Sequence, residues 1–168
     1  MAVSPDLLPI TAIGVGVAAW RPGLAARGLL TLALGLAAAI VAATGMAFLQ
    51  DSLDLIPSAF SFERASSALG GLTEINDETI VVALAAGVAG MLALETRASS
   101  AVGVAISVTT IPAAAYLGVA AGLGELDKAV GAVGLLGMNV AMMVAGASIT
   151  LVVQRALAAR VRAAQASR

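Results

Sequence analysis

Few side chains in this sequence suit a buried binding site, and most of the candidates lie in two short segments that each end in a proline. The chain contains no histidine and no cysteine, which excludes imidazole bases, thiol nucleophiles and Cys/His zinc sites. We therefore predict no catalytic residue, no metal site and no cofactor. The candidate residues of an ion or substrate pathway are Ser4, Asp6 and Pro9 in the first segment, Ser107, Thr109, Thr110 and Pro112 in the second, and Asn139 further along the chain.

Asp6 is the one ionisable residue that could lie deep in a membrane, and it has two interpretations. A carboxylate at that depth costs roughly 2.5–3.5 kcal/mol on insertion scales and marks a functional site, here a proton- or cation-coupling group. Alternatively, Ser4, Pro5 and Asp6 occupy the N-cap, N1 and N2 positions of a helix, whose start they stabilise. The sequence leaves both interpretations open.

Pro9 and Pro112 each remove one backbone donor and kink the helix that contains them. The carbonyl groups freed in this way can line a cavity or coordinate an ion, or neighbouring hydroxyl groups can satisfy them. Asn139 is ambiguous in the same way, because its carboxamide can hydrogen-bond across helices or line a pathway.

The elements that must position these residues are membrane-spanning helices. Of the 168 residues, 60 % are apolar and 11 % are charged, and the mean hydropathy is +1.01. Soluble proteins average roughly 45–50 % apolar and about 25 % charged residues, so a soluble domain and a disordered chain are both excluded. The formal net charge of −1 gives no indication of nucleic-acid binding. Because porin strands would alternate polar and apolar residues, we predict an all-α polytopic membrane protein.

Five stretches approach the 20 or so mainly apolar residues that a transmembrane helix needs. If the spans alternate in direction, most of the basic residues fall on one side, which places the C-terminus in the cytoplasm. Residues 1–154 then form the transmembrane domain, and residues 155–168 form a basic cytoplasmic tail. The predicted spans are about 1–20, 24–50, 79–94, 99–122 and 126–153.

The connection over residues 51–78 is acidic and lies outside the cell in this orientation. Leu53, Ile56 and Phe60 recur within it at helical spacing, which predicts a short amphipathic helix on the outer membrane surface. Such a helix could act as a lid over an entrance or simply connect two spans.

An internal repeat relates the two ends of the chain. Ser4–Pro9 and Ser107–Pro112 share serine and proline at an offset of 103 residues, and residues 16–19 are identical to residues 118–121 at an offset of 102. Each copy contains a proline-interrupted span, a short turn and a glycine-rich span, and the charges orient the copies oppositely. Inverted repeats with broken helices are typical of many secondary transporters, so we expect the two proline segments to meet near mid-membrane.

Glycines recur at helical spacing in the last two spans. Small residues allow helix backbones to approach closely, whereas a phosphate-binding glycine loop would need a strand and a soluble fold. We therefore predict helix packing surfaces, and with them a homo-oligomer. The glycines concerned are Gly118, Gly122, Gly131, Gly134 and Gly137.

Several stretches resemble one family of hydrophobic prokaryotic membrane proteins. Residues 1–10, Met-Ala-Val-Ser-Pro-Asp-Leu-Leu-Pro-Ile, resemble the signature GAM-x-x-SP-x-x-x-P-I of the family called domain of unknown function 389. Residues 83–90 and residues 99–108 with the following Pro112 resemble it too, and Asn139 resembles a family asparagine in the last span. The resemblance implies an inner-membrane protein of six or more spans, without an established activity.

This sequence departs from the family pattern at two positions. Met1 aligns with an internal methionine of the family, so the resemblance implies that an upstream helix and half of the next are absent here. Asp6 stands where the family usually has an apolar residue, so no role for it follows from the resemblance.

These features favour a transporter or channel for a small ion or solute, with its site between the two proline-containing spans. The alternative is an oligomeric structural or regulatory membrane module, which the packing glycines and the scarcity of buried polar groups favour. An enzyme has the least support, because one candidate carboxylate leaves little for acid–base or nucleophilic chemistry. The expected partners are the lipid bilayer, further copies of the chain and a small ion or solute, with no nucleic acid.

Overall fold

The computed structural model of the protein describes residues 7–56, 60–61, 63–64, 75–96 and 99–166, with residues 7, 94–96 and 99–109 described by their backbone alone. Within these residues the chain forms helices and no strand, which confirms the all-α fold class. The helices are α1 (Leu7–Ala18), α2 (Pro22–Ser52), α3 (Asp77–Thr96), α4 (Ser99–Gly122) and α5 (Leu126–Ala166).

The helices agree with the predicted apolar stretches in position and differ from some of them at the ends. α4 coincides with the stretch 99–122, and α2 and α3 each extend two residues further at both ends. α5 begins at residue 126 as predicted but continues to Ala166. Residues 155–166 are thus part of α5, because they include strong helix formers and contain neither glycine nor proline.

The start of α3 is fixed by Asn76. Its Oδ1 accepts hydrogen bonds from the backbone N–H and the hydroxyl of Thr79, both at 2.8 Å. Asp77 and Glu78 follow in the first turn, where negative charge favours the helix dipole.

Three helices end in the same hydrogen-bonded turn, in which one residue has a left-handed backbone conformation. The N–H group of the next residue reaches back five positions, and this Schellman arrangement satisfies carbonyl groups that a helix end leaves free. The left-handed residues are Trp20 (φ +51), Asp54 (φ +56) and Gly124 (φ +76), and the closing bonds run from Arg21 to Gly16 at 2.8 Å, from Leu55 to Gln50 at 2.9 Å and from Glu125 to Ala120 at 2.8 Å.

The turn at Asp54 shows that the predicted amphipathic helix does not include residues 53–56. α2 ends at Ser52, and of the described residues that follow, 53–56 and 60–61 are not helical whereas 63–64 are. The helical spacing of Leu53, Ile56 and Phe60 was a misleading signal. The left-handed residue ends the helix, and Pro57 then disfavours a helical conformation at Ile56.

Contacts between small residues set the directions of α1 and α2. Gly16 lies against Ala25 across the turn, and Gly28 lies against Pro9 and Ile13 further from it. With increasing distance from the turn, later residues of α2 contact earlier residues of α1, so the two helices are antiparallel. We call this pair of helices the first hairpin. α4 and α5 form the second hairpin, because the connection of residues 123–125 is equally short.

The two hairpins pack against each other in opposite directions. Gly118 and Gly122 of α4 lie against Ala43 and Ala47 of α2, in the same order along both helices, so α2 and α4 are parallel. Since each of them is antiparallel to its hairpin partner, α1 is parallel to α5 and antiparallel to α4. A side-chain bond agrees with this arrangement: Arg155 Nη1 of α5 donates to the backbone carbonyl of α1 at its last residue, at 3.3 Å.

The contacts between the hairpins repeat at a spacing of 104 residues. A Cβ on Gly14 would lie 2.8 Å from that of Ala147, and a Cβ on Gly118 would lie 2.5 Å from that of Ala43. Gly14 and Gly118 are 104 positions apart, and so are Ala43 and Ala147. The left-handed turn residues Trp20 and Gly124 have the same separation. The offsets of 103 and 102 that the sequence identities gave are therefore wrong by one and two residues, because such identities arise by chance among alanines and glycines.

α3 crosses α5 at two glycines. A Cβ on Gly87 would overlap the backbone of Met143, and one on Gly146 would overlap the backbone of Leu84. The two helix backbones are consequently in direct contact. Met143 itself is fully buried, in a cluster with Ile10, Ile13, Leu32, Ala83 and Ala86.

Two of the described helices are long and apolar enough to cross a membrane. They are α2, of 31 residues, and α5, of 41 residues. The remaining predicted spans stay predictions.

Candidate functional site

By the register of α4 against α5, the two buried polar side chains of the second hairpin are at one level of the bundle. Thr110 of α4 has no exposed surface, and Asn139 of α5 is 1 % exposed. From the connecting turn to this pair, buried residues recur every three or four positions on both helices. Residues at the same distance from the turn form three successive pairs. These pairs are Ala120 with Ala129, Leu117 with Ala132, and Ala113 with Leu136, and all six residues belong to one apolar cluster.

Thr110 and Asn139 lie halfway between the two contacts that join the hairpins. Thr110 precedes Gly118 by eight residues, and Asn139 precedes Ala147 by eight residues. Since α4 and α5 run in opposite directions, each contact is about 12 Å from the polar pair, on opposite sides of it. We call this position the middle level of the bundle.

Two prolines lie close to the middle level. Pro112 is two residues after Thr110, inside a helix that continues through it, so α4 is not broken there. Pro9 is buried in the first turn of α1 as described, five residues before Gly14. By the register of the hairpins, Pro112 is about 2 residues from the middle level and Pro9 is about 3 residues from it. Both prolines therefore lie roughly 3–5 Å from that level along the axis of the bundle.

Thr11 adds a third buried polar side chain, and a second hydroxyl, near this level. It is 3 % exposed, and its Oγ1 donates to the carbonyl of Leu8 at 3.1 Å, which is one of the carbonyl groups in the first turn of α1. Hydroxyl and carboxamide groups can hydrogen-bond a solute or contribute oxygens to a cation. They cannot act as acids or bases near neutral pH, so the described site suits binding rather than proton transfer.

Four of the predicted pathway residues cannot be placed. Ser4 and Asp6 lie outside the described residues, and so do the side chains of Ser107 and Thr109, whose backbone belongs to α4. The register of 104 residues nevertheless pairs Asp6 in sequence with Thr110. The two interpretations of Asp6 therefore both remain predictions.

The predicted packing glycines fall into two groups. Gly118 and Gly122 contact α2, where a Cβ on Gly122 would lie 2.8 Å from that of Ala47. In the other group, Gly131, Gly134 and Gly137 are exposed, and a Cβ on any of them would meet nothing within 4 Å among the described residues. These three glycines pack no helix within the described chain.

An apolar groove of about 360 Å³ lies between α2 and α5. Most of its lining residues form pairs that are 104 positions apart, so the two hairpins contribute to it equally. These pairs are Leu29 with Val133, Leu32 with Leu136, Ala33 with Gly137, and Leu36 with Val140.

Charge divides the bundle into two ends. The end at which α1 finishes carries Arg21, Arg27 and Arg155, and α5 extends beyond it with Arg160 and Arg162. We call this the basic end. The opposite end carries the α4–α5 turn and the end of α2, with Asp51, Asp54, Glu125, Asp127 and Lys128, and we call it the acidic end; Lys128 pairs with Glu125 there at 3.4 Å.

A comparison with known families decides the relationship that the motifs indicated. The family model for domain of unknown function 389 (DUF389) matches residues 1–145. The chain belongs to the DUF389 family. The matched range includes both hairpin turns and the middle level of this DUF389 chain. No curated protein and no solved structure matches it.

Sequence reasoning missed the crossing of α3 and α5. Gly87 and Gly146 are the residues that make it possible, and neither was predicted to pack among the 18 glycines of the chain. The available signal was weak, because a close helix crossing needs a small residue on each of two distant segments, and the sequence does not say which glycines face each other.

Proposed function

We propose that this DUF389 chain is a multi-pass protein of a prokaryotic cytoplasmic membrane that carries or conducts a small ion or solute. The observation that carries the proposal is the antiparallel packing of two equivalent helical hairpins with buried polar groups at their middle level. Transporters commonly place their sites midway between inverted structural repeats. Thr110 and Asn139 are the described residues that we assign to this pathway.

The location in a membrane is supported by length and by charge. α3 and α4 contain 20 and 24 residues, enough to cross a bilayer beside α2 and α5. The basic and acidic ends are separated along the axis of the bundle, as expected for a protein obeying the positive-inside rule. We therefore assign the basic end and the C-terminus to the cytoplasm.

A flux experiment tests the proposal. The chain is reconstituted in liposomes, and the movement of single cations, anions and small neutral solutes is followed for the unchanged protein and for Asn139→Leu. We expect at least one solute to move with the unchanged protein, and the variant to lose that flux while its helix content stays the same. Gly131→Ala is the control, because Gly131 faces outward on the same helix. Absence of flux across the whole panel would contradict the proposal.

The second candidate is an oligomeric structural or regulatory module without transport. The exposed glycines on α5 favour it, since Gly131, Gly134 and Gly137 offer a surface on which another copy could pack closely. Native mass spectrometry in mild detergent distinguishes the candidates when it is combined with the flux result. A stable oligomer without flux would favour the module. We do not propose an enzymatic activity.

A further inference from the structure

Two depressions adjoin each other at the turn between α1 and α2. One is polar, has a volume of about 380 Å³ and contains two arginines, and the other is an apolar groove of about 400 Å³. Both volumes fall in the range of small-molecule sites. The polar depression is lined by Arg21, Gly23, Leu24 and Arg27, and the apolar groove by Gly16, Val17, Trp20, Pro22 and Ala25.

The charge of the polar depression is positive and locally uncompensated. Arg21 and Arg27 both line it, and within the described part of the chain neither is paired with a carboxylate. Arg155 lies at the same end, where it donates to Ala18. The depression also adjoins the beginning of α2, whose N-terminal dipole favours an anion.

The equivalent turn at the acidic end has the opposite character. At the spacing of 104 residues Arg21 corresponds to Glu125, and Arg27 corresponds to Gly131. Glu125 is paired with Lys128 at 3.4 Å. The backbone of the two turns is the same, so the side chains alone make the first turn suited to an anion.

We propose that the turn between α1 and α2 binds an anionic phospholipid. Its phosphate lies between the guanidinium groups of Arg21 and Arg27, and one acyl chain occupies the apolar groove beside Trp20. Guanidinium groups match phosphate oxygens in charge and in geometry. This inference rests on the membrane location proposed above but is independent of any transport.

The apolar groove identifies a lipid rather than free phosphate as the ligand. Its lining consists of small and apolar side chains, and the indole of Trp20 is 92 % exposed at its edge. Tryptophan is enriched where hydrocarbon meets headgroups. A free anion would use the arginines and leave the groove unused.

Trp20 provides the test, because it is the single tryptophan of the chain. The full-length protein is placed in mixed micelles containing phospholipids with brominated acyl chains, which quench indole fluorescence on contact. Brominated phosphatidylglycerol is compared with brominated phosphatidylcholine of the same chain length. We expect phosphatidylglycerol to quench Trp20 at a lower mole fraction, with a relative affinity about tenfold higher.

Matched variants separate the arginine pair from general charge. Arg21→Gln/Arg27→Gln should reduce the selectivity to about one, and Arg21→Lys/Arg27→Lys should retain part of it because the charge remains. Glu125→Gln/Lys128→Gln alters the equivalent turn and should leave the selectivity unchanged. Far-UV circular dichroism confirms the helix content of each variant.

Several results would overturn the proposal. One is equal quenching by the two lipids with the unchanged protein, and another is selectivity that survives the double glutamine substitution. Displacement of phosphatidylglycerol by millimolar inorganic phosphate would show a site for the free anion instead. None of these readouts measures flux, so failure here is distinguishable from failure of the transport proposal.

Discussion

Gly118 of α4 lies so close to Ala43 of α2 that a Cβ on the glycine would stand 2.5 Å from the Cβ of the alanine. The two backbones are in direct contact, and Gly14 makes the equivalent contact with Ala147 at 2.8 Å. The contacts lie about 12 Å on either side of the middle level. The hairpins are thus joined above and below the buried polar pair.

Gly118→Ala tests this contact. We expect it to lower the free energy of unfolding by about 1–3 kcal/mol, because α4 must move away from α2 to admit the methyl group. Gly131→Ala is the matched control inside a helix with open space around it, and it should be neutral or stabilising by up to about 1 kcal/mol. Thermal unfolding in detergent, followed by circular dichroism, measures both. Equal losses in the two variants would contradict a close contact at Gly118.

The two hairpin turns should respond to substitution with opposite signs. Trp20 and Gly124 occupy the same left-handed position, with φ +51 and +76. A left-handed conformation costs residues with a Cβ roughly 1–2 kcal/mol. Trp20→Gly should therefore raise the free energy of unfolding in detergent by about 1 kcal/mol, and Gly124→Ala should lower it by about 1 kcal/mol. The same sign for both would show that the turns are not equivalent.

A double-mutant cycle tests whether Thr110 and Asn139 share the middle level. Both are buried, so Thr110→Val or Asn139→Leu alone should cost about 1–3 kcal/mol by leaving polar groups of its neighbours unsatisfied. Combining the two should cost less than the sum, with a coupling of about 0.5 kcal/mol or more, because both sides of the interaction are then apolar. Unfolding midpoints in detergent give all three values. Strict additivity would place the two side chains in separate environments.

The sequence was informative where one property dominates a long stretch. Unbroken apolar runs predicted the positions of the helices. The turn residues around Gly124 predicted where α4 ends and where α5 begins. The sequence was misleading where packing decides. Gly131, Gly134 and Gly137 have ideal spacing for a packing surface, yet a Cβ on any of them would meet nothing within 4 Å among the described residues. Gly87 was not predicted to pack and lies against the backbone of α5.

The candidate site was predictable only in part, for a similar reason. Thr110 and Asn139 could be selected by polarity alone, because buried polar groups are rare in apolar helices. Their common level could not be predicted, since it depends on the turn that fixes the register of α4 against α5. The left-handed conformation of Trp20 was equally hidden, because bulky residues rarely adopt it.

The orientation of the bundle can be tested by chemical labelling, because the chain has no native cysteine. We expect Asp127→Cys at the acidic end to react with a membrane-impermeant maleimide in intact cells. Ala163→Cys should react only after permeabilisation, since the proposed orientation, which follows the positive-inside rule, places the basic end in the cytoplasm. Gly23→Cys should behave like Ala163→Cys, because α1 is parallel to α5 and finishes at the same end. Reversed labelling would overturn the orientation, and opposite behaviour of Gly23→Cys and Ala163→Cys would contradict the antiparallel packing of the two hairpins.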